Sequence, residues 1–186
     1  MKQYTNLCAS MVHSPFKKLS IAVNTDFKVL GKQIEFELDA EGNKIQYFDV
    51  ASRSADAFIA SLGEYSQYFY TSFVDVATNI PPHTDIVDKV NINFYIETGE
   101  YTTTFYSSRD GGKKLTYADH GDGHVYNIDD LKPIDSFVAN SGDVYILNGK
   151  VIHGVSSVNH LPRKFLQVST NVLDYEQVID ILTNLC

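Results

Sequence analysis

The feature that most restricts the fold lies between residues 73 and 173, where short β-forming runs follow one another, separated by turn clusters and without an intervening helix of useful length. The runs are Phe73 to Val76, Lys89 to Ile96, Thr102 to Ser107, Lys114 to Ala118, His124 to Ile128, Ser136 to Ala139, Asp143 to Leu147 and Arg163 to Val172. Strands at this density predict an antiparallel sandwich or barrel. Ahead of them, Ile34, Phe36 and Leu38 alternate with Gln33, Glu35 and Glu37, then turn residues 39–43 lead into a returning arm over 44–50, which predicts a hairpin. Ala57, Phe58, Leu62, Tyr65 and Phe69 recur at helical steps over Ser54 to Tyr70, with Ser52 or Ser54 as N-cap, and Asp174 to Leu185 predicts a short closing helix.

A chain of 186 residues fits one domain, 1–186, divided into an N-terminal hairpin and supporting helix (1–72), a β core (73–173) and a C-terminal helix (174–186). Hydrophobic residues at 44% supply a core built on 12 Tyr and 11 Phe. The net charge of −8 and the absence of any Lys or Arg cluster beyond pairs argue against nucleic acid or a membrane surface as partner. Cys8 and Cys186 are poorly placed for a staple, so reduced thiols in a cytoplasmic compartment are expected. The first 20 residues lack the apolar block of a signal peptide, and no run reaches the roughly 18 apolar residues of a membrane span.

Chemistry concentrates in two segments. In Pro81-Pro82-His83-Thr84-Asp85 an imidazole and a carboxylate stand two residues apart at a strand edge, so both project to one side and can meet one cation. By itself the pair is weak, because a turn aspartate accepting backbone hydrogen bonds reads the same way. The second segment, 141–154, runs from Gly142-Asp143 through an apolar strand and the Asn148-Gly149 turn to His153, and Arg163 follows ten residues later. An arginine at a pocket offers a bidentate grip on a carboxylate that a lysine does not.

His83-x-Asp85, His153 and Arg163, in this order and spacing, resemble the iron and cosubstrate signature of the 2-oxoglutarate and Fe(II)-dependent oxygenases, especially the small stand-alone members of bacteria and phages. The resemblance spans about Phe73 to Leu173 and includes the Gly142-Asp143 turn. It implies a mainly β fold, a double-stranded β-helix of jelly-roll or cupin-like form with a few supporting helices. It further implies Fe(II) held by His83, Asp85 and His153, with three adjacent positions left for 2-oxoglutarate and O2. Arg163 would clamp the distal carboxylate while the cosubstrate is decarboxylated to succinate and a C–H bond of the prime substrate is oxidised. A structural zinc site would close its coordination, commonly with thiolates, and both cysteines lie outside the pattern.

Strand faces extend this expectation. Val90, Ile92, Phe94 and Ile96 share one face, predicted to pack beneath the 54–70 helix, while Asn91, Asn93 and Tyr95 share the other. Asn93 and Tyr95 are therefore expected to help hold the cosubstrate, with solvent exposure of the asparagines on an edge strand as the competing reading. If Arg163 points inward, so do Gln167 and Ser169. Residues 101–130, including Tyr106, Arg109, Tyr117 and His120, are expected to select the substrate, a small molecule or a protein or peptide side chain. His120 and His124 flank a Gly-rich turn that reads either as an accessory metal loop or as a solvated turn. A monomer or a homodimer is compatible with the sequence. Two alternatives stay open: a cupin-like metalloenzyme that does not use 2-oxoglutarate, and a non-catalytic β-sandwich that binds sugar or peptide.

Overall fold

Alternating apolar and polar residues draw most of the chain into strands, and a computed structural model describes residues 14–21, 26–37, 44–109, 117–120, 123–159 and 161–184. In chain order the elements are β1 (Phe16–Leu19), β2 (Lys28–Glu37), β3 (Lys44–Ala51), α1 (Arg53–Ser61), β4 (Tyr70–Val76), β5 (Ile80–Asp85), β6 (Val90–Glu97) and β7 (Thr102–Ser108). They continue through β8 (Tyr117–His120), β9 (Gly123–Tyr126), β10 (Leu131–Val138), β11 (Val144–Asn148), β12 (His153–Ser156), β13 (Arg163–Thr170) and α2 (Tyr175–Asn184). Among these helices none is long and apolar enough to cross a membrane.

The strands form a seven-stranded sheet, β1-β11-β6-β13-β4-β3-β2, facing a six-stranded sheet, β10-β7-β12-β5-β9-β8, with every pairing antiparallel. The pairing is nested: β4 meets β13, β5 meets β12, β6 meets β11 and β7 meets β10. A long hairpin wound on itself produces this order, and it is the jelly-roll, or double-stranded β-helix, arrangement of a cupin-like shell. The hairpin β2–β3 extends the larger sheet beyond β4, and β8–β9, inserted between β7 and β10, extends the smaller one beyond β5.

Two apolar layers hold these sheets. On the outer face of the larger sheet, Val90, Ile92, Phe94, Leu166 and Val168 pack under α1 and α2, with Phe58 edge-on to Phe94 at 5.4 Å between ring centroids. Between the sheets, Tyr95, Phe105, Phe137, Tyr145 and Phe165 form an aromatic layer in which Phe137 and Tyr145 stack at 3.9 Å. The apolar face of β6 thus lies beneath the helix as its alternation indicates, and its polar face turns into the shell.

Three local departures have physical causes. The 54–70 periodicity resolves into α1 followed by a 3-10 turn over Gly63–Tyr68, because Gly63 adopts φ +61° and breaks the α-helical ladder. The break rotates the apolar stripe, so Tyr65 faces solvent while Phe69 stays buried; Ala57 is exposed on α1 itself, off the face that carries Ala55, Phe58, Ile59 and Leu62. Residues 80–85 are a strand despite Pro81 and Pro82, since the β5–β12 register slips between Ile80 and His83, where a missing N–H breaks no ladder bond. Ser107 and Ser108 belong to β7, where the sequence also admits a mobile loop over 107–112; residues 110–112 and most of the expected 114–118 strand lie outside the described residues.

Candidate metal centre

Register brings the two histidines together. β5 and β12 are neighbours in the smaller sheet, and His83 lies directly opposite His153, with ring centroids 4.4 Å apart. Asp85, two residues along β5, projects to the same face. His83 Nε2 lies 3.5 Å from Asp85 Oδ1 and His153 Nε2 lies 4.0 Å from the same oxygen. Each of the three residues offers a ligand atom within 4.8 Å of the others, and no other group of three potential ligands gathers in this way among the described residues.

The surroundings fix which atoms face the centre. His83 Nδ1 donates to the Pro81 carbonyl at 2.8 Å, and His153 Nδ1 donates to the Val151 carbonyl at 2.9 Å. Both rings are thereby oriented with Nε2 toward Asp85. Burial, reinforced by the neighbouring His83, lowers the His153 pKa to about 4, so its imidazole is neutral at pH 7. Burial pushes the Asp85 carboxyl upward, but the His83 hydrogen bond, the two imidazoles and the Asn91 amide outweigh it and hold the group below its ordinary range. Two imidazole nitrogens and one carboxylate, with no thiolate, form the donor set of a divalent first-row metal with coordination positions to spare.

Glycines permit the close approach. A Cβ on Gly149 would stand 2.5 Å from Asp85 Oδ2, and one on Gly154 would stand 3.2 Å from the Ile80 carbonyl oxygen and the Pro82 nitrogen. The Asp85 amide donates to the Gly149 carbonyl at 2.9 Å, which ties the end of β5 to the turn after β11.

The triad opens on a cavity that is also lined by Arg163, Asn93, Gln167 and Thr103. Arg163 is only 4% exposed. Its Nη2 donates to Tyr95 Oη at 2.8 Å and Thr103 Oγ1 at 3.1 Å, and its guanidinium carbon lies 5.2 Å and 5.1 Å from the Tyr95 and Phe165 ring centroids. Among the described residues no carboxylate pairs with it, and Nε and Nη1 take no protein partner. A buried cation that lines a cavity beside a metal-type triad calls for an anionic ligand.

The other expected residues are distributed around this core. Asn93 lines the cavity, and its Oδ1 is buried without a hydrogen-bond partner. Tyr95 is fully buried and stands one step back, its hydroxyl holding Arg163. Gln167 lines the cavity and Ser169 is buried on the same face of β13, as their alternation with Arg163 requires. Arg109 is occupied with backbone, donating through Nε to the Leu131 carbonyl at 2.6 Å. Tyr101 is buried, so that end of the expected recognition segment belongs to the interior. Tyr106 is half-buried on β7 and His124 lies opposite Thr84 on β9, while the side chains of Tyr117 and His120 lie outside the described residues. Thr103, Asp88 and Gly149 were not singled out from sequence; Thr103 alternates with Phe105 on the inward face of β7, the one signal that marks it.

No family model matches the chain, and no curated protein matches it. Solved structures do. Oxalate decarboxylase from Bacillus subtilis aligns at 14% identity and a TM-score of 0.36, over 73% of this chain and 27% of its own. The Lactobacillus farciminis oxalate decarboxylase formate complex aligns at 12% and 0.37, over 73% and 31%. A cupin-like protein from Thermotoga maritima aligns at 13% and 0.34, over 84% and 80%. The chain spans less than a third of the length of the two decarboxylases. The assignment of the architecture rests on the nested strand pairing.

Proposed function

We propose that the chain is a 2-oxoglutarate and Fe(II)-dependent oxygenase that hydroxylates a small metabolite or a protein side chain. The observation that carries this reading is Arg163, a buried guanidinium without a carboxylate partner among the described residues, lining the cavity that holds the triad. A metal site alone has no need of a buried cation, which repels the ion; a ligand with one anionic end at the metal and another at the arginine satisfies both.

In this reading His83 Nε2, His153 Nε2 and Asp85 Oδ1 hold Fe(II), which when bound supplies the one-electron and O2 chemistry that side chains lack. Arg163 binds the distal carboxylate of 2-oxoglutarate through its guanidinium, which Tyr95 and Thr103 hold in position from Nη2. The Asn93 amide, which lines the same cavity, would help hold the cosubstrate. Val76, Leu147 and Val155 line the same space and exclude water from it. The reading places the chain in the reducing cytoplasm, where ferrous iron and 2-oxoglutarate occur together.

The test is succinate release from 2-oxoglutarate in air with Fe(II) and ascorbate. The wild-type protein is expected to release succinate, Asp85→Ala to release none, and Arg163→Ala to need at least about 100-fold more 2-oxoglutarate, the equivalent of one charge-assisted bidentate contact. Metal binding without 2-oxoglutarate turnover would leave a cupin-like metalloenzyme, and no metal binding would leave a binding module.

A further inference from the structure

We infer that Asn91 and Ser169 are positioning residues for Asp85, restricting it to a single metal-facing oxygen; the inference rests on the metal-site reading above. Asp85 Oδ1 faces both imidazoles, whereas Oδ2 accepts from Asn91 Nδ2 at 2.8 Å. A carboxylate only accepts, so the amide nitrogen must face it, and that orientation turns Asn91 Oδ1 the other way. There it accepts from Ser169 Oγ at 2.7 Å. Both residues are buried, 5% and 2% exposed, so water does not replace these bonds.

Strand register builds this row. Ser169 on β13 lies opposite Asn91 on β6 and opposite Tyr70 on β4, so the three residues stand side by side across the larger sheet. Asp88, in the turn between β5 and β6, closes the far end by accepting from the Tyr70 hydroxyl. The missing Cβ of Gly149 leaves the Oδ2 side of the carboxylate room against backbone. Oδ2 is thus held from one side by a donor and bounded on the other by the turn after β11.

The consequence concerns coordination number. An octahedral ion with two imidazoles and one carboxylate oxygen keeps three positions, sufficient for a two-point diacid and O2. A carboxylate swung to bind through both oxygens would take a fourth position and leave two. By engaging Oδ2, Asn91 keeps that position open, and Ser169 keeps Asn91 from turning.

Anaerobic Co(II) titration of the purified chain tests this without any turnover. Wild-type protein is expected to bind one Co(II), with Asn91→Ala weakening it about 10- to 100-fold and Ser169→Ala by a smaller factor, as outer hydrogen bonds to ligands do. The Co(II) d–d spectrum should change in Asn91→Ala, because a chelating carboxylate oxygen replaces a solvent ligand in one of the open positions. Ser169→Thr, which keeps the hydroxyl, should restore wild-type binding. Circular dichroism of the metal-free variants establishes that each is folded; should Asn91→Ala not fold, the Ser169→Ala and Ser169→Thr pair decides. Wild-type affinity and spectrum in folded Asn91→Ala, or in Ser169→Ala if that pair decides, would overturn the inference while leaving the metal reading intact. No Co(II) uptake by the wild type would overturn both.

Discussion

At Asp85 and His153 burial acts on opposite charge states, and the two residues differ in what answers it. Asp85 collects donors from His83 and Asn91 and stays ionised; His153 collects one backbone acceptor and stays neutral. For stability the sign follows directly. Unfolded, His153 takes a proton near pH 6.5; folded, only near 4, so between these values the unfolded chain holds the extra proton. Its contribution is fully present above pH 6.5 and is lost as pH falls toward 4, a change on the order of 3 kcal/mol. Urea denaturation of the metal-free protein across that window should show the fall, and His153→Gln should flatten it. A second residue-scale outcome concerns Gly149, where the 2.5 Å approach to Asp85 Oδ2 leaves no room for a methyl. Gly149→Ala should weaken divalent metal binding at least about tenfold. His83, Asp85, His153 and Arg163 are legible in the sequence through their order and spacing taken together, since no one of them is distinctive alone. Asn91's hold on Asp85, Thr103's on Arg163 and the Gly149 contact depend on how strands align across the sheets, which no local pattern encodes.

β6 carries the division of labour at the scale of one element. Its odd-numbered residues Asn91, Asn93 and Tyr95 face the shell interior, and its even-numbered residues Ile92 and Phe94 face the helices. Truncating Phe94 to Ala should cost about 3–5 kcal/mol in denaturant unfolding while leaving metal affinity unchanged. Asn93→Ala should do the reverse, weakening 2-oxoglutarate binding with little change in stability, as isothermal titration would register. The alternation made the two faces readable, but whether the asparagine face met solvent or the shell interior was decided only by the central place of β6 in its sheet. The break after α1 was not readable, since the left-handed conformation of Gly63 is selected by packing rather than announced by neighbours. Likewise Pro81-Pro82 disguised β5, because two prolines argue against a strand until the register slip that accommodates them is seen. Gly63→Ala should lower stability by about 1 kcal/mol, the cost of a β-carbon at positive φ, with metal binding intact.

Across the whole molecule, the nested pairing places residues far apart in sequence at one end of the shell, where polar rows on the larger sheet face the triad on the smaller. The aromatic layer of Phe105, Phe137 and Tyr145 fills the remainder. A metal held by His83 and Asp85 from β5 and His153 from β12 ties the two halves of the wound hairpin, and binds the folded chain alone. Saturating metal should therefore raise the melting temperature, with about 2.7 kcal/mol of stabilisation at a hundredfold excess over Kd. The jelly roll was legible as a succession of strands, while the assignment of each strand to a sheet was visible only in the fold. The measurement that bears most directly on the central claim is an anaerobic optical titration of the Fe(II)-loaded protein with 2-oxoglutarate. A visible metal-to-ligand charge-transfer band that saturates at one diacid per chain, and that Arg163→Ala shifts to far higher concentration, is the predicted result. An Fe(II)-loaded protein whose spectrum ignores 2-oxoglutarate, or a band indifferent to Arg163, would contradict it.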